Sequence, residues 1–233
     1  MELDVSENLK RIRFDIEEAR AKYRKQDDVI RLMAVTKTVP YQRVNLAVSE
    51  GVTLLGENRV QEYLEKKDFY DKNAEVHFIG HLQSNKVKYI IDSVTMIHSV
   101  DSIKLAAEIN RQAVKAGIVM NVLLEVNIGG EDTKSGVSPE SLRELIYETG
   151  ELKNIRVKGL MTIPPPGESE GSFYKMSGLF SDLRSERFEN ADMEILSMGM
   201  SADYALAVKY GSNIVRIGSG IFGARKYREE EKK

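Results

Sequence analysis

No cysteine occurs anywhere in the 233-residue chain. That absence excludes disulfides, thiolate metal sites and a cysteine nucleophile, and it fits a reducing compartment. Neither sign of charge prevails: 34 Lys and Arg against 36 Asp and Glu leave a formal net charge of −2. No global basic field exists to recruit nucleic acid or an anionic lipid surface. No apolar run approaches the roughly 20 residues that a membrane helix needs. The start, Met1-Glu-Leu-Asp-Val-Ser-Glu7, lacks the basic-then-apolar pattern of a secretory leader. The three histidines and the scattered carboxylates show no metal-ligand spacing. These absences describe a soluble cytoplasmic protein that does not work through a metal, a membrane or nucleic acid.

With 42% hydrophobic and 30% charged residues, the composition is that of an ordinary globular protein. The length suits one or two domains, and α/β barrels use it as one. The stretch Arg31-Leu-Met-Ala-Val-Thr-Lys37 is a short apolar run ending in a polar pair, with Pro40 beyond it. It reads as a buried strand running into a loop, with Lys37 standing at the strand mouth. Before it, residues 6–25 read as a helix capped by Ser6, with Leu9, Ile12, Ile16 and Ala19 on one stripe. Apolar, β-rich segments recur near 31–37, 52–56, 76–80, 95–100, 120–127, 156–163, 193–198 and 213–217. Helical stretches lie between them. Asp101 is expected to cap one that Gly117 ends, and Ser138 with Pro139 to open another. The alternation argues for parallel strands joined by right-handed crossovers, and eight strands close a (β/α)8 barrel. An open doubly wound sheet is the competing architecture. A long loop is expected over 162–171, an exposed charged helix face over 62–72, a helix from Lys86 and Lys88, and a solvated tail over 228–233.

A barrel gathers its site at the C-terminal strand ends. Five of the eight ends here carry polar residues: Thr36-Lys37, Glu57-Asn58-Arg59, His81-Leu-Gln-Ser-Asn85, Ser197-Met-Gly-Met-Ser201 and Arg216-Ile-Gly-Ser219. One such end means little; five at one rim point to a binding site. Ser197–Ser201 leads into a helix expected over 202–209, so backbone amides and the Ser201 hydroxyl can meet an anion at a helix start. Gly218 to Gly223 matches G-x-G-x-x-G, yet no βαβ unit follows and no acid stands about twenty residues on, so the dinucleotide reading fails. Loops after the seventh and eighth strands are where barrels often hold a phosphate. With a strand-end lysine beside them, the pattern points to a phosphorylated carbonyl compound held as a Schiff base. His77 and His98 lie in or near apolar strands and read as structural, whereas His81 at a strand end is a candidate acid, base or donor.

The stretches Ala34–Lys37, Gly56–Glu62, His77–Lys86, Ser197–Ser201 and Val215–Ser219 closely resemble the pyridoxal phosphate homeostasis protein family, also known as proline synthase co-transcribed homologues. The resemblance runs from about residue 5 to 227 in family order. It implies one domain over 1–233, a single (β/α)8 TIM barrel with an N-terminal helix, like the N-terminal domain of alanine racemase. Carried over by motif, Lys37 forms the internal aldimine with pyridoxal 5′-phosphate. Ser201, backbone amides near Met200, Gly218 and Ser219 hold the phosphate, Arg216 faces the pyridine nitrogen, and Asn58 and His81 line the ring side. The family often has threonine where Ser219 stands, and the hydroxyl survives that change. A guanidinium opposite the ring nitrogen only donates, which weakens the electron sink that carbanion chemistry needs. Racemases with this arginine also use a tyrosine from a second, β-rich domain, and the chain is expected to lack that domain. The resemblance therefore implies a monomeric carrier or buffer of the cofactor, with recipient apo-enzymes as partners. An amino-acid racemase using Lys37 and His81 is the alternative.

Overall fold

In a computed structural model, residues 4–131 and 135–224 are described; the expected tail at 228–233 lies outside them. Eight parallel strands close into a barrel in sequence order, and the open-sheet alternative is excluded. The strands are β1 (Arg31–Val35), β2 (Leu54–Glu57), β3 (Glu75–Phe78), β4 (Met96–Val100), β5 (Met120–Glu125), β6 (Ile155–Met161), β7 (Ala191–Ser197) and β8 (Ile214–Ile217). The helices are α1 (Val5–Tyr23), α2 (Tyr41–Ser49), α3 (Val60–Lys66), α4 (Ile103–Ala116), α5 (Leu142–Gly150), α6 (Ser169–Arg184), α7 (Tyr204–Lys209) and α8 (Ser219–Phe222).

Strand alternation builds two cores. Inside the barrel, Met33, Val35, Leu54, Ile79 and Ile214 pack together, and Met96, Leu123 and Met161 form a second interior group. The opposite faces of the strands pack against the helices in one continuous apolar layer, with Phe78, Phe173, Leu124 and Ile109 among its fully buried members. This is the division that a period of two imposes on a strand buried on both sides. α1 packs against α7, α8 and α2, and its Asn8 donates to the Ile221 carbonyl at 3.0 Å. The opening helix thus covers a seam that the four-residue α8 is too short to cover alone.

Closure between β7 and β8 combines backbone bonds, from Asn213 N to the Leu196 carbonyl at 3.0 Å and from Met198 N to that of Ile214 at 3.3 Å, with side-chain bonds. Ser197 pairs with Ile214 in the ladder, while the Asn213 amide donates to the Glu194 carbonyl at 2.7 Å and accepts from Leu196 N at 2.9 Å. The buried Ser212 hydroxyl lies 2.8 Å from the Met198 carbonyl and 3.0 Å from that of Ile214. A side-chain amide carries donors and an acceptor in one plane, so it can extend a peptide ladder.

Several local expectations are corrected. α1 is capped by Asp4, whose carboxylate accepts from Ser6 N at 2.9 Å, so Ser6 is the donor and not the cap. A carboxylate at a helix start adds a favourable charge to the same hydrogen bond. α4 begins at Ile103 with Ser102 at the cap position and no side-chain cap bond, although Gly117 ends it in the left-handed conformation as expected. The Ser138 hydroxyl accepts from Ser141 N at 3.3 Å, but that bond closes a turn and α5 starts only at Leu142. α7 likewise starts at Tyr204, after a turn over 201–203. The stretch carrying Lys86 and Lys88 is a 3-10 helix, Ser84–Tyr89, confined between the end of β3 and the buried Ile90 and Ile91.

Candidate functional site

The β1–β8 register pairs Met33 with Arg216 and Ala34 with Ile217, so the ends of these strands emerge side by side. Met33 and Val35 face the barrel interior, and Lys37 is the next residue in that alternation, half-buried at the rim. Thr36 N still donates to the Gly56 carbonyl at 3.1 Å. The chain then turns: Val39 N reaches back to the Thr36 carbonyl at 3.0 Å, and Thr38 sits at φ 63°. The platform under Lys37 is therefore a strand end closed by a tight turn.

Arg216 is 3% exposed inside the barrel. Its guanidinium donates to the Ser197 hydroxyl at 2.8 Å and to the Thr162 carbonyl at 2.9 Å. Loss of hydration pushes its pKa down to about 10, opposed by the charges of Glu125 and Asp203. The group remains a cation at neutral pH. Two of its five N–H donors are committed in these bonds.

After β7 the chain passes through Gly199 at φ 91°, where a Cβ would fall 2.4 Å from the Ala207 Cβ. Only glycine adopts that conformation in so little space. The Met200 amide donates to Asp203 Oδ1 at 2.7 Å, and Asp203 Oδ2 accepts from the Ser169 hydroxyl at 2.6 Å. The Ser201 hydroxyl accepts from Gly220 N at 3.1 Å, tying the loop after β7 to α8. Gly218 occupies the cap position of α8 and Ser219 its first residue, close behind Val35, whose carbonyl lies 3.4 Å from where a Gly218 Cβ would be. Lys37, Arg216, Ser201, Gly218 and Ser219 thus lie on three adjacent strand ends.

Asn58 follows β2, and its Oδ1 is buried without a hydrogen-bond partner. Gly80 lets the backbone approach there, since a Cβ at that position would lie 2.1 Å from the Asn58 carbonyl oxygen. His81 is further round the rim, exposed, with Nδ1 4.0 Å from Asp101 Oδ2. Asn58 and His81 line an open cleft of about 700 Å³ over the ends of β2 and β3. Lys37 and the β7–β8 loops do not line it, so the rim holds two adjoining regions.

His77 and His98 pair inside the barrel, His77 Nδ1 lying 2.9 Å from His98 Nε2. Burial pushes His77 down to about 4 and His98 well below its ordinary value. Both stay neutral at physiological pH and take no part in the rim. No group of three or more metal-ligating residues occurs among the described residues.

One cluster was not anticipated. The charges of 62–72 do not all belong to an exposed face: Lys66 and Tyr70 turn inward and meet Glu57, which is fully buried. Lys66 Nζ lies 3.4 Å from Glu57 and 2.8 Å from Glu62, and both Thr36 and Tyr70 donate their hydroxyls to Glu57. Burial raises the Glu57 carboxyl pKa, with Lys66 as the strongest opposing influence. The only sequence signal was the spacing Glu62–Lys66, one helical turn, which exposed ion pairs share.

A family model described as "Alanine racemase, N-terminal domain" matches residues 8–226. The alanine racemase of Clostridium difficile 630 superposes with a TM-score of 0.68 over 93% of this chain and 57% of that one, at 20% identity, which speaks to the fold alone. By fold and by strand-end architecture this is a barrel of the alanine racemase N-terminal class. The "Pyridoxal phosphate homeostasis protein" of Aquifex aeolicus (strain VF5) is 44% identical over 230 residues, covering 97% of this chain and all of the relative. PipY of Synechococcus elongatus PCC7942, solved with PLP bound, matches 94% of this chain and all of its own, with 29% identity and a TM-score of 0.79. Within its class, the chain belongs to the pyridoxal phosphate homeostasis protein family.

Proposed function

We propose that this protein binds pyridoxal 5′-phosphate covalently through Lys37 Nζ and serves vitamin B6 homeostasis as a holder of the cofactor, not as an efficient enzyme. The observation that carries the reading is the convergence of an amine, a buried guanidinium and a hydroxyl-and-amide cradle on the adjacent ends of β7, β8 and β1. A relative of known structure has PLP bound, and the curated relatives carry the homeostasis name.

The residues present fit the group. It needs an amine nucleophile, donors for a phosphate dianion and a partner for its ring nitrogen. It would also bring polar atoms to the Asn58 Oδ1, which is buried and otherwise unpaired. When bound, pyridoxal phosphate supplies an aldehyde carbon that condenses with amines and a ring that withdraws electrons. Lys37 is the nucleophile and acts once its amine has shed a proton. The Ser201 hydroxyl and the amides that open α8 at Gly218 and Ser219 hold the phosphate, together with the amides of the turn after Met200. Asn58 and His81 would border the ring side. Arg216 would face the ring nitrogen, and as a guanidinium it donates without accepting a proton. It would thereby disfavour protonation of that nitrogen and weaken the electron withdrawal on which amino-acid chemistry depends.

The name that the curated relatives carry, a homeostasis protein, supports the non-catalytic reading. The protein acts as a cytoplasmic monomer that passes its cofactor to apo-enzymes.

The test is the visible spectrum of the purified protein with added pyridoxal phosphate, wild type beside Lys37→Ala, followed by borohydride and peptide mass analysis. A visible absorbance band in wild type that Lys37→Ala lacks, with reduced cofactor mass on the Lys37 peptide, is the expected result. A wild type that develops no band overturns the covalent reading. Rapid, Lys37-dependent racemisation of L-alanine by the same preparation would overturn the non-catalytic one.

A further inference from the structure

The turn that presents Lys37 is built against its own local preference. Thr38 has φ 63°, in the left-handed region that β-branched residues rarely enter. With Val39 N bonded to the Thr36 carbonyl at 3.0 Å, residues 36–39 form a β-turn whose third position has positive φ, where glycine is the usual choice. A conformation of this kind persists only when its surroundings over-determine it. Here the surroundings are the buried ions behind the turn.

Lys66 Nζ lies 3.0 Å from the Thr36 carbonyl and 3.4 Å from that of Val39, so one ammonium ties both ends of the turn. Glu62 Oε1 accepts from Thr38 N at 2.5 Å and from Lys66 Nζ at 2.8 Å, so the same pair also grips the turn's middle. Glu57 receives the Thr36 hydroxyl at 2.6 Å and lies 3.4 Å from Lys66 Nζ, while Tyr70 donates to it from behind. Thr36, Thr38 and Val39 are therefore each held by Glu57, Glu62 or Lys66. Lys66 is 9% exposed, and Glu57 has no exposed surface. The cost of burying these charges has no counterpart in an exposed helix face.

We propose that Lys66, Glu62 and Glu57 form a clamp that holds the 36–39 turn in its left-handed form, and so are positioning residues for the Lys37 amine. The inference rests on the covalent reading above and adds the device that aims the nucleophile. Glu57 and Lys66 are buried behind the turn, Glu62 lines the cleft on the Asn58 side, and none of the three belongs to the phosphate cradle. They set the direction in which Lys37 leaves the strand, and a misdirected amine loses reactivity without any loss of the phosphate cradle. The clamp therefore separates two properties that a collapsed site would lose together: covalent attachment, which needs Lys37 aimed, and non-covalent binding, which does not.

Two ligands read the two properties. Pyridoxal 5′-phosphate condenses with the amine, whereas pyridoxine 5′-phosphate carries an alcohol in place of the aldehyde and binds without condensing. In Glu62→Ala and in Lys66→Met, apparent affinity for pyridoxal phosphate by absorbance is expected to fall at least about tenfold, the scale of one strained backbone conformation. Affinity for pyridoxine phosphate by calorimetry is expected to stay within about twofold of wild type, since the phosphate contacts are untouched. Thr38→Gly, which adopts positive φ without strain, is expected to restore attachment in the Glu62→Ala background. Unchanged attachment in both variants, a parallel loss of both ligands, or no rescue by Thr38→Gly would overturn the clamp. Lys66→Met removes the cation beside Glu57 and Glu62; if it does not fold, Glu62→Ala with and without Thr38→Gly decides alone. Should wild type bind pyridoxine phosphate yet form no adduct with pyridoxal phosphate, the covalent reading fails. The clamp is then judged on ligand-free protein by the acylation rate of Lys37, followed by mass spectrometry. A rate changed severalfold in Glu62→Ala and returned towards wild type by Thr38→Gly sustains it, and an unchanged rate sinks it.

Discussion

Arg216, Lys66 and Asp4 show how much a single side chain depends on what stands behind it. Arg216 was recognisable at a strand end, but its being the buried cation of the barrel interior follows from its pairing with Met33, which fixes the face it occupies. Lys66 read as one charge on a charged helix, and it is a hub of four polar contacts because α3 lies with that face against the β1–β2 ends. At the start of α1 the cap is Asp4, two residues before the Ser6 that the sequence offers. Replacing Asp4 with Ala is expected to lower stability by about 0.5–2 kcal/mol, whereas Ser6→Ala stays within about 0.5 kcal/mol, because only the former removes the acceptor. Urea denaturation of the two variants checks this, and equal losses would return the cap to Ser6.

At the level of elements, the weak joint of the barrel is β7–β8. β7 and β8 share one registered pair, Ser197 with Ile214, and three backbone bonds along the seam are supplemented by the side chains of Asn213 and Ser212. That joint also carries the Arg216 anchor and the Ser201–Gly220 tie. Asn213→Ala removes a donor to the Glu194 carbonyl and an acceptor for Leu196 N, an expected loss of about 1–3 kcal/mol. It should also accelerate amide exchange at Leu196 and Met198 beyond the change elsewhere in the barrel, measured by hydrogen–deuterium exchange. Uniform acceleration over all strands would show that the amide contributes only to global stability. Strand positions were readable from apolar runs within a few residues, but this uneven pairing was not. A run of hydrophobic residues says that a strand is buried and nothing about how many peptide bonds its neighbour satisfies.

Across the whole molecule, the axis of the barrel is where pH acts on stability. His77 and His98 are buried against each other, with Glu75 and Arg31 on one side and Arg216 on the other. Desolvation pushes the folded-state His77 pKa down to about 4 from an ordinary 6.5. The unfolded chain therefore takes up protons first as pH falls. The stability contributed by keeping the pair neutral is complete above about pH 6.5 and is lost as pH drops towards about 4, where His77 titrates in the folded state too. The buried carboxyls Glu57 and Glu125, whose pKa values are raised, act in the opposite sense. A comparison isolates the histidines: wild type is expected to lose on the order of a few kcal/mol more than His77→Leu/His98→Leu between pH 7 and 4.5, measured by chemical denaturation. Equal slopes would place the acid sensitivity elsewhere.

The sequence by itself determined the repeating β/α order, the polar residues of the rim and the motifs that carry the family, because periodicity, glycine turns and strand-end chemistry are local properties written in adjacent residues. It placed Lys37, Asn58, Arg216 and the Ser197–Ser201 loop at strand ends for that reason. Only the tertiary structure decided that the sheet closes, that Arg216 and the histidine pair share the barrel interior, and that Lys66 and Glu57 are buried behind the Lys37 turn. Closure depends on the strand register all round the ring, and the burial of a charge depends on which distant chain segment covers it. Neither is encoded in the spacing of neighbours along the chain.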